Sequence, residues 1–196
     1  MSEILFIRHA QTDMAGSFCG HSDPGLSALG RLQLVELTTR LRKEDIGMVY
    51  TSDLRRAYAT GSAIAETLGI GCHVRPALRE INFGQWEGLT WRLIEAKDRA
   101  YARRWIAEYP HLPAPDGEDF CNFEQRVLNE VAFLSGRAQA SDRNIAVVSH
   151  AGVLRTVLRM HGCSDKEAWE QTRSYCSIIR QVCVATSYAQ TAEKPS

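Results

Sequence analysis

Apolar residues fall into two alternating patterns along this chain. Short runs at 4–7, 48–51, 72–74, 145–149 and 178–185 read as strands, and the first is apolar throughout, as in a parallel sheet covered on both faces. Between the runs, apolar positions recur at helical spacing. Ser27 stands as an N-cap before a stretch in which Leu34, Leu37 and Leu41 share one face. Asp53 is the expected cap of a second helix, with Ala57, Ile64, Ala65 and Leu68 inward. A third helix follows His150, striped by Leu154, Val157 and Leu158 and ending near Gly162. This alternation predicts an α/β fold: a three-layer sandwich whose mostly parallel central sheet has helices on both faces.

The stretch at about 90–123 breaks the rhythm. It concentrates Trp91, Tyr101, Trp105, Tyr109, Phe120 and Phe123, and Pro110, Pro113 and Pro115 make its PHLPAPDGED segment a stiff connector. The expected organisation is one domain over 1–196 with this segment inserted over one end of the sheet, its aromatics closing a pocket or filling core. The polar end of the chain, SYAQTAEKPS, is expected to fray.

Arg8 and His9 stand immediately after the first apolar run, where a buried strand would not hold them. They fit the carboxyl end of the strand, the rim at which open α/β sheets bind ligands. Three further stretches put polar residues at such borders: TSDLRRAYAT, ALREINFGQWEG and VVSHAGVLR. On one rim, Arg8, His9, an arginine of the Arg55/Arg56 pair, Glu80 and His150 would meet. Two arginines and a protonated histidine neutralise a dianion, a second histidine is a nucleophile, and a carboxylic acid serves a leaving group. Phosphoryl transfer fits that set, because its catalysis is largely positioning and charge stabilisation.

Composition narrows the partners. The 196 residues carry 23 basic and 23 acidic side chains, a balance that gives no reason to expect nucleic acid or an anionic membrane as partner. The expected partner is a small phosphorylated metabolite, with a homodimer left open. Nineteen of the basic residues are arginine, whose planar fork suits phosphate, although genome composition produces the same bias. The six cysteines form no CxxC pair, and with no signal-like start the chain reads as cytoplasmic, its thiols reduced. A GxxxxGK[ST] phosphate loop is absent from the sequence.

The motifs RHAQT, GHSDPGLSALG, SDLRRAYAT, LREINFGQWEG and SHAGVLR, in that order over 8–155, resemble those of the histidine phosphatase superfamily, in the branch that includes phosphoglycerate mutases and α-ribazole phosphatases. The resemblance implies a metal-independent phosphomonoesterase working through phosphohistidine, with no cofactor. His9 would be the nucleophile, Arg8 and Arg56 its phosphate-binding partners, Glu80 the proton donor and His150 the second pocket histidine. Arg55 falls on a variable position. Gly20, His21 and the N–H of Ala151 would line the substrate site, His21 equally fitting a surface role. Such a His9 must be neutral at the attacking nitrogen, so its other ring nitrogen is expected to donate to a backbone carbonyl.

Some positions depart from the pattern. Ala10 and Gln11 replace its glycine and glutamate, Ala15 a frequent asparagine, and Cys19 a frequent Ser or Thr, leaving the pocket weaker or tuned to another substrate. Glu87 rivals Glu80 but sits in a turn context and reads as structural. Arg155 reads as a structural ion-pair partner. Arg103 and Arg104 either reach over the pocket to a second anion or are solvated helix residues near Glu108. His73, His111 and His161 carry no role, and His161 with Cys163 lacks the further ligands zinc needs. Roughly 69 residues between Glu80 and His150 leave room for a modest cover only, favouring a phosphatase over a mutase. The expected substrate is a small sugar-linked or nucleoside-like phosphate, α-ribazole 5′-phosphate being one, with phosphoglycerate mutase as the alternative activity and a non-catalytic phospholigand-binding protein as a third.

Overall fold

A computed structural model of the chain describes residues 2–182. Five strands form one sheet in the order β3-β2-β4-β1-β5: β1 Glu3–Arg8, β2 Ile46–Thr51, β3 Gly71–Val74, β4 Asn144–Ser149 and β5 Ile178–Val182. All neighbours are parallel except β5, which runs antiparallel to β1. The expected extension of β5 to residue 185 and the polar end of the chain lie outside the described residues.

Side-chain alternation along the strands divides the core in two. Ile4 and Phe6 of β1, with Ile145 and Val147 of β4, pack against Phe123, Val127, Val131 and Leu134 of α5 (Phe120–Gln139) and Val153, Leu154 and Val157 of α6 (Ala151–Met160). Leu5, Ile7, Ala146 and Val148 point the other way, onto Leu37 and Leu41 of α1 (Ala28–Leu41) and Ala57 and Ile64 of α2 (Arg55–Leu68). Each large aliphatic or aromatic side chain removed from water in this way contributes about 1.5–3 kcal/mol. Both faces are therefore dry, which is why the strands read as continuous apolar runs.

The helix ends follow the sequence, with one exception. Ser27 accepts from the Gly30 N–H and starts α1. Asp53 does not cap α2: its carboxylate is taken by Arg79, which holds it below the ordinary carboxylate range, and Leu54 is the N-cap residue, its N–H donating to Ser52 Oγ. Gly69 ends the helix in the left-handed region at φ 65°, where glycine is unstrained.

The 90–123 stretch forms α3 (Trp91–Lys97), α4 (Arg99–Glu108) and the proline segment that leads into α5. Trp86, Ile94, Ala102 and Ala114 make a small core of their own, ringed by Phe18, Phe83, Trp91, Tyr101 and Trp105. A last helix, α7 (Asp165–Thr172), opens on a capping box between Ser164 and Glu167. Among the described residues, no helix is long and apolar enough to cross a membrane.

Candidate active site

Strand register explains why two distant histidines meet. Parallel pairing of β1 with β4 sets Arg8 opposite Ser149, so the residues that follow, His9 and His150, leave the sheet side by side. Their ring centroids lie 5.1 Å apart. On the other side of β4, Thr51 of β2 pairs with Val148, and the chain turns from there into α2, whose first turn carries Arg56.

Two neighbours fix the same tautomer of His9. Its Nδ1 lies 2.7 Å from the Ala10 carbonyl, to which it donates, as the sequence led us to expect. Its Nε2 accepts from Arg56 Nε at 3.2 Å. Burial first, then the positive charge of Arg56 and more weakly that of Arg8, keep the ring well below the ordinary histidine pKa, against the opposing pull of the Ala10 carbonyl. His150 is wholly buried, its Nδ1 and Nε2 both without a partner among the described residues. Burial and the nearby Arg56, His9 and Arg8 depress its pKa strongly too. Desolvation and the charges of Arg56, Arg8 and Arg126 thus all oppose the protonated histidine anticipated from the sequence.

Arg56 is buried outright. Besides His9 it donates to the carbonyls of Ser22, Cys19 and Gly20 and forms no ion pair among the described residues. Arg8 donates to the carbonyls of Thr172 and Arg173, stacks 4.0 Å from the Tyr175 ring centroid, and has a buried Nε without a partner among the described residues. Burial lowers its pKa, partly offset by Tyr175 and Glu80. Unpaired buried cations are costly, by several kcal/mol per ion. An anion in this pocket would offset that cost.

Glu80 is 8 % exposed and held at both oxygens: Oε1 accepts from the Ile81 N–H at 3.0 Å and Oε2 from the Gly152 N–H at 2.9 Å. Arg126, in α5, secures the loop beneath it. All its N–H groups are used, on the carbonyls of Ala77, Arg79 and Glu80 and on both oxygens of Glu118. The sequence reading missed Arg126, since an arginine in mid-helix carries no motif; its spacing from Glu118, eight residues at a helix start, was the available signal.

The remaining expected residues are distributed as follows. Ala151 lines the cavity at the start of α6, its N–H without a partner among the described residues. The N–H groups of Gly20 and His21 are engaged by Glu87, which also receives those of Ser22 and Phe83. Those bonds outweigh burial and hold Glu87 ionised, so it shapes the loop, as its turn context implied. His21 Nε2 meets the Glu80 carbonyl at 3.1 Å, and neither Gly20 nor His21 lines the cavity. Of the four departures, Ala10 packs in the core, Gln11 turns away to bind Ser27, Ala15 is exposed and outside the cavity lining, and Cys19 stands on the cavity wall. Arg104 pairs with Glu108 on the exposed face of α4 and, like Arg103, lines no part of the site.

Arg155 corrects the expectation of a structural ion pair. Its Nε donates to Thr172 Oγ1 at 3.0 Å and its guanidinium lies 3.3 Å over Trp169, with no carboxylate partner among the described residues. Desolvation lowers its pKa to about 10.

Arg8, His9, Glu80, Ala151 and Arg155 surround a cavity of about 260 Å³ that includes Ser17 and Tyr175. A second space of about 210 Å³ adjoins it, sharing Phe18, Glu80, Phe83, Arg155 and Trp169, with Trp105, Tyr109, Phe120 and Phe123 as further walls. Aromatics of the 90–123 stretch do therefore line a pocket.

Residues 4–188 match the family model described as histidine phosphatase superfamily (branch 1). The chain is 32% identical over 169 residues to the adenosylcobalamin/alpha-ribazole phosphatase of Escherichia coli, covering 85% of this chain and 82% of the relative. It is 33% identical over 159 residues to the glucosyl-3-phosphoglycerate phosphatase of Mycobacterium tuberculosis, covering 77% and 71%. The crystal structure of the alpha-ribazole phosphatase of Shigella flexneri superposes with a TM-score of 0.76 at 32% identity, over 86% of this chain and 84% of that one. The chain belongs to the histidine phosphatase superfamily, branch 1, and is a phosphatase acting on a small phosphorylated substrate.

Proposed function

We propose that the protein hydrolyses phosphomonoesters through a phosphohistidine at His9, with Glu80 as acid and then base. The observation that carries this reading is His9 with Nδ1 on the Ala10 carbonyl and Nε2 facing Arg56 Nε, beside Glu80 in a pocket whose arginines Arg8 and Arg56 have no carboxylate partner among the described residues.

The steps follow from the groups present. An entering phosphoryl group takes the Arg56 Nε–H and frees the Nε2 lone pair. Nε2 attacks phosphorus, forming the P–N bond as the P–O ester bond breaks. Glu80, acting as general acid, gives a proton to the departing alkoxide. Water then attacks phosphorus, Glu80 takes its proton, and the P–N bond breaks to release inorganic phosphate. Arg8, Arg56, the Ala151 N–H and His150 bear the charge on the phosphoryl oxygens. Preorganised donors of this kind are worth about 2.7–4 kcal/mol each in comparable sites. Protonation of His150 accompanies the dianion rather than preceding it.

The leaving group is proposed to occupy the adjoining aromatic-walled space, under the segment 91–119 acting as a cover. A small sugar-linked or nucleoside-like alcohol suits those walls, and α-ribazole 5′-phosphate is one such ester. Rapid-quench labelling tests the mechanism. An acid-labile, base-stable phosphoryl adduct on His9 is expected during turnover and absent from His9→Ala; turnover without it would sink the proposal.

A further inference from the structure

The two cavities join at Glu80 and Arg155, which line both, and Arg159 lines the leaving-group space alone. Arg155 is held rigidly: Thr172 Oγ1 fixes Nε and Trp169 supports one face. Both Nη groups are left without a protein partner among the described residues, presenting the planar edge with which arginine grips a carboxylate or phosphate.

The walls around it add to the case. Arg159, one helical turn further along α6, stands 4.9 Å over the Phe120 ring and has a buried Nε with no partner among the described residues. Its carboxylate partner, Asp165, is two-thirds exposed and reaches only Nη1. Glu118, the other acid on these walls, has both oxygens committed to Arg126. The space next to Glu80 therefore has a cationic end at which, among the described residues, Arg155 has no carboxylate partner and Arg159 has only the exposed Asp165.

We propose that Arg155, backed by Arg159, is a specificity-determining anion subsite, so that preferred substrates carry a second anionic group, a carboxylate or a second phosphate, on the alcohol. This rests on the phosphomonoesterase reading and narrows it. α-Ribazole 5′-phosphate has no such second anion and becomes a reference for the neutral class.

The test is kcat/KM on matched esters with the full chain: 3-phosphoglycerate against glycerol 3-phosphate, and fructose 1,6-bisphosphate against fructose 6-phosphate. The first pair isolates a carboxylate and the second a phosphate. The wild-type protein is expected to favour the anionic member of at least one pair tenfold or more, and Arg155→Gln to reduce that ratio below threefold. Equal use of both members by the wild-type protein overturns the subsite, as does a preference that survives Arg155→Gln. If that variant does not fold, Arg155→Lys is read instead: an intermediate ratio supports the fork, and an unchanged one overturns it. Failure to release phosphate from every ester, p-nitrophenyl phosphate included, is a failure of the phosphomonoesterase reading itself.

Discussion

Arg56 Nε points its proton at His9 Nε2 across 3.2 Å, so the arginine proposed to bind phosphate also opposes protonation of the proposed nucleophile. Burial and this charge hold His9 and His150 neutral below the ordinary histidine value of 6.5. Ring resonances of both should keep neutral imidazole shifts through pH 6.5 and titrate only well below it. In Arg56→Met the His9 transition should move back toward 6.5, because a positive neighbour has gone. Titration of wild-type His9 at 6.5 would contradict the assignment.

Stability should carry the same signature. Both histidines have lower pKa values folded than unfolded, so between those values the unfolded chain binds more protons. Their contribution is complete above pH 6.5 and is lost as pH falls through the folded values. Urea midpoints measured from pH 7.5 downward should fall across that window, and less steeply in a His150→Asn variant.

Removing the proton donor should separate the two chemical steps. Glu80→Gln keeps the side-chain shape but cannot donate to an alkoxide or accept from water. General acid–base groups contribute about 10²–10⁴-fold, so kcat on alkyl phosphates should fall by that order. p-Nitrophenyl phosphate has a good leaving group and needs little protonation, so its first step should slow far less. Phosphohistidine should then accumulate on His9, visible as a burst of p-nitrophenol. Equal slowing of both ester classes without a burst would place the acid elsewhere.

Arg126 acts on that donor only through the backbone and Glu118. Arg126→Gln should lower kcat on alkyl phosphates about tenfold, with a smaller change on p-nitrophenyl phosphate and little change in KM, because Arg126 bonds no side chain of the proposed phosphate pocket. A merely structural arginine would reduce both rates alike as the folded fraction fell.

Much of this was legible in the sequence for a physical reason: strands buried on both faces must read as apolar runs, and polar residues just beyond them must lie at the sheet edge. That logic places Arg8, His9 and His150, and the paired SDLRRAYAT motif separates Arg56 from Arg55. It did not find Arg126, Trp169 or Tyr175, which sit on helices and turns where polar and aromatic residues are ordinary. Asp53 was misread because a carboxylate before a helix looks like a cap, while Arg79, distant in sequence, competes for it. Arg155 was misread likewise, its burial and stacking on Trp169 being tertiary facts.

Gly152 offers the sharpest separation of site from scaffold. A Cβ there would fall on Glu80 Oε1 and close against Phe123, while its N–H holds the other oxygen of Glu80. In the first turn of α6 alanine is otherwise the better residue, by about 1 kcal/mol relative to glycine in a helix. Gly152→Ala should therefore keep its fold, with Tm within a few degrees, yet displace the Glu80 carboxyl. We expect kcat on alkyl phosphates to drop at least about 10²-fold, with p-nitrophenyl phosphate again less affected. Full activity in a folded Gly152→Ala protein would mean that Glu80 does not work from the position where Gly152 holds it.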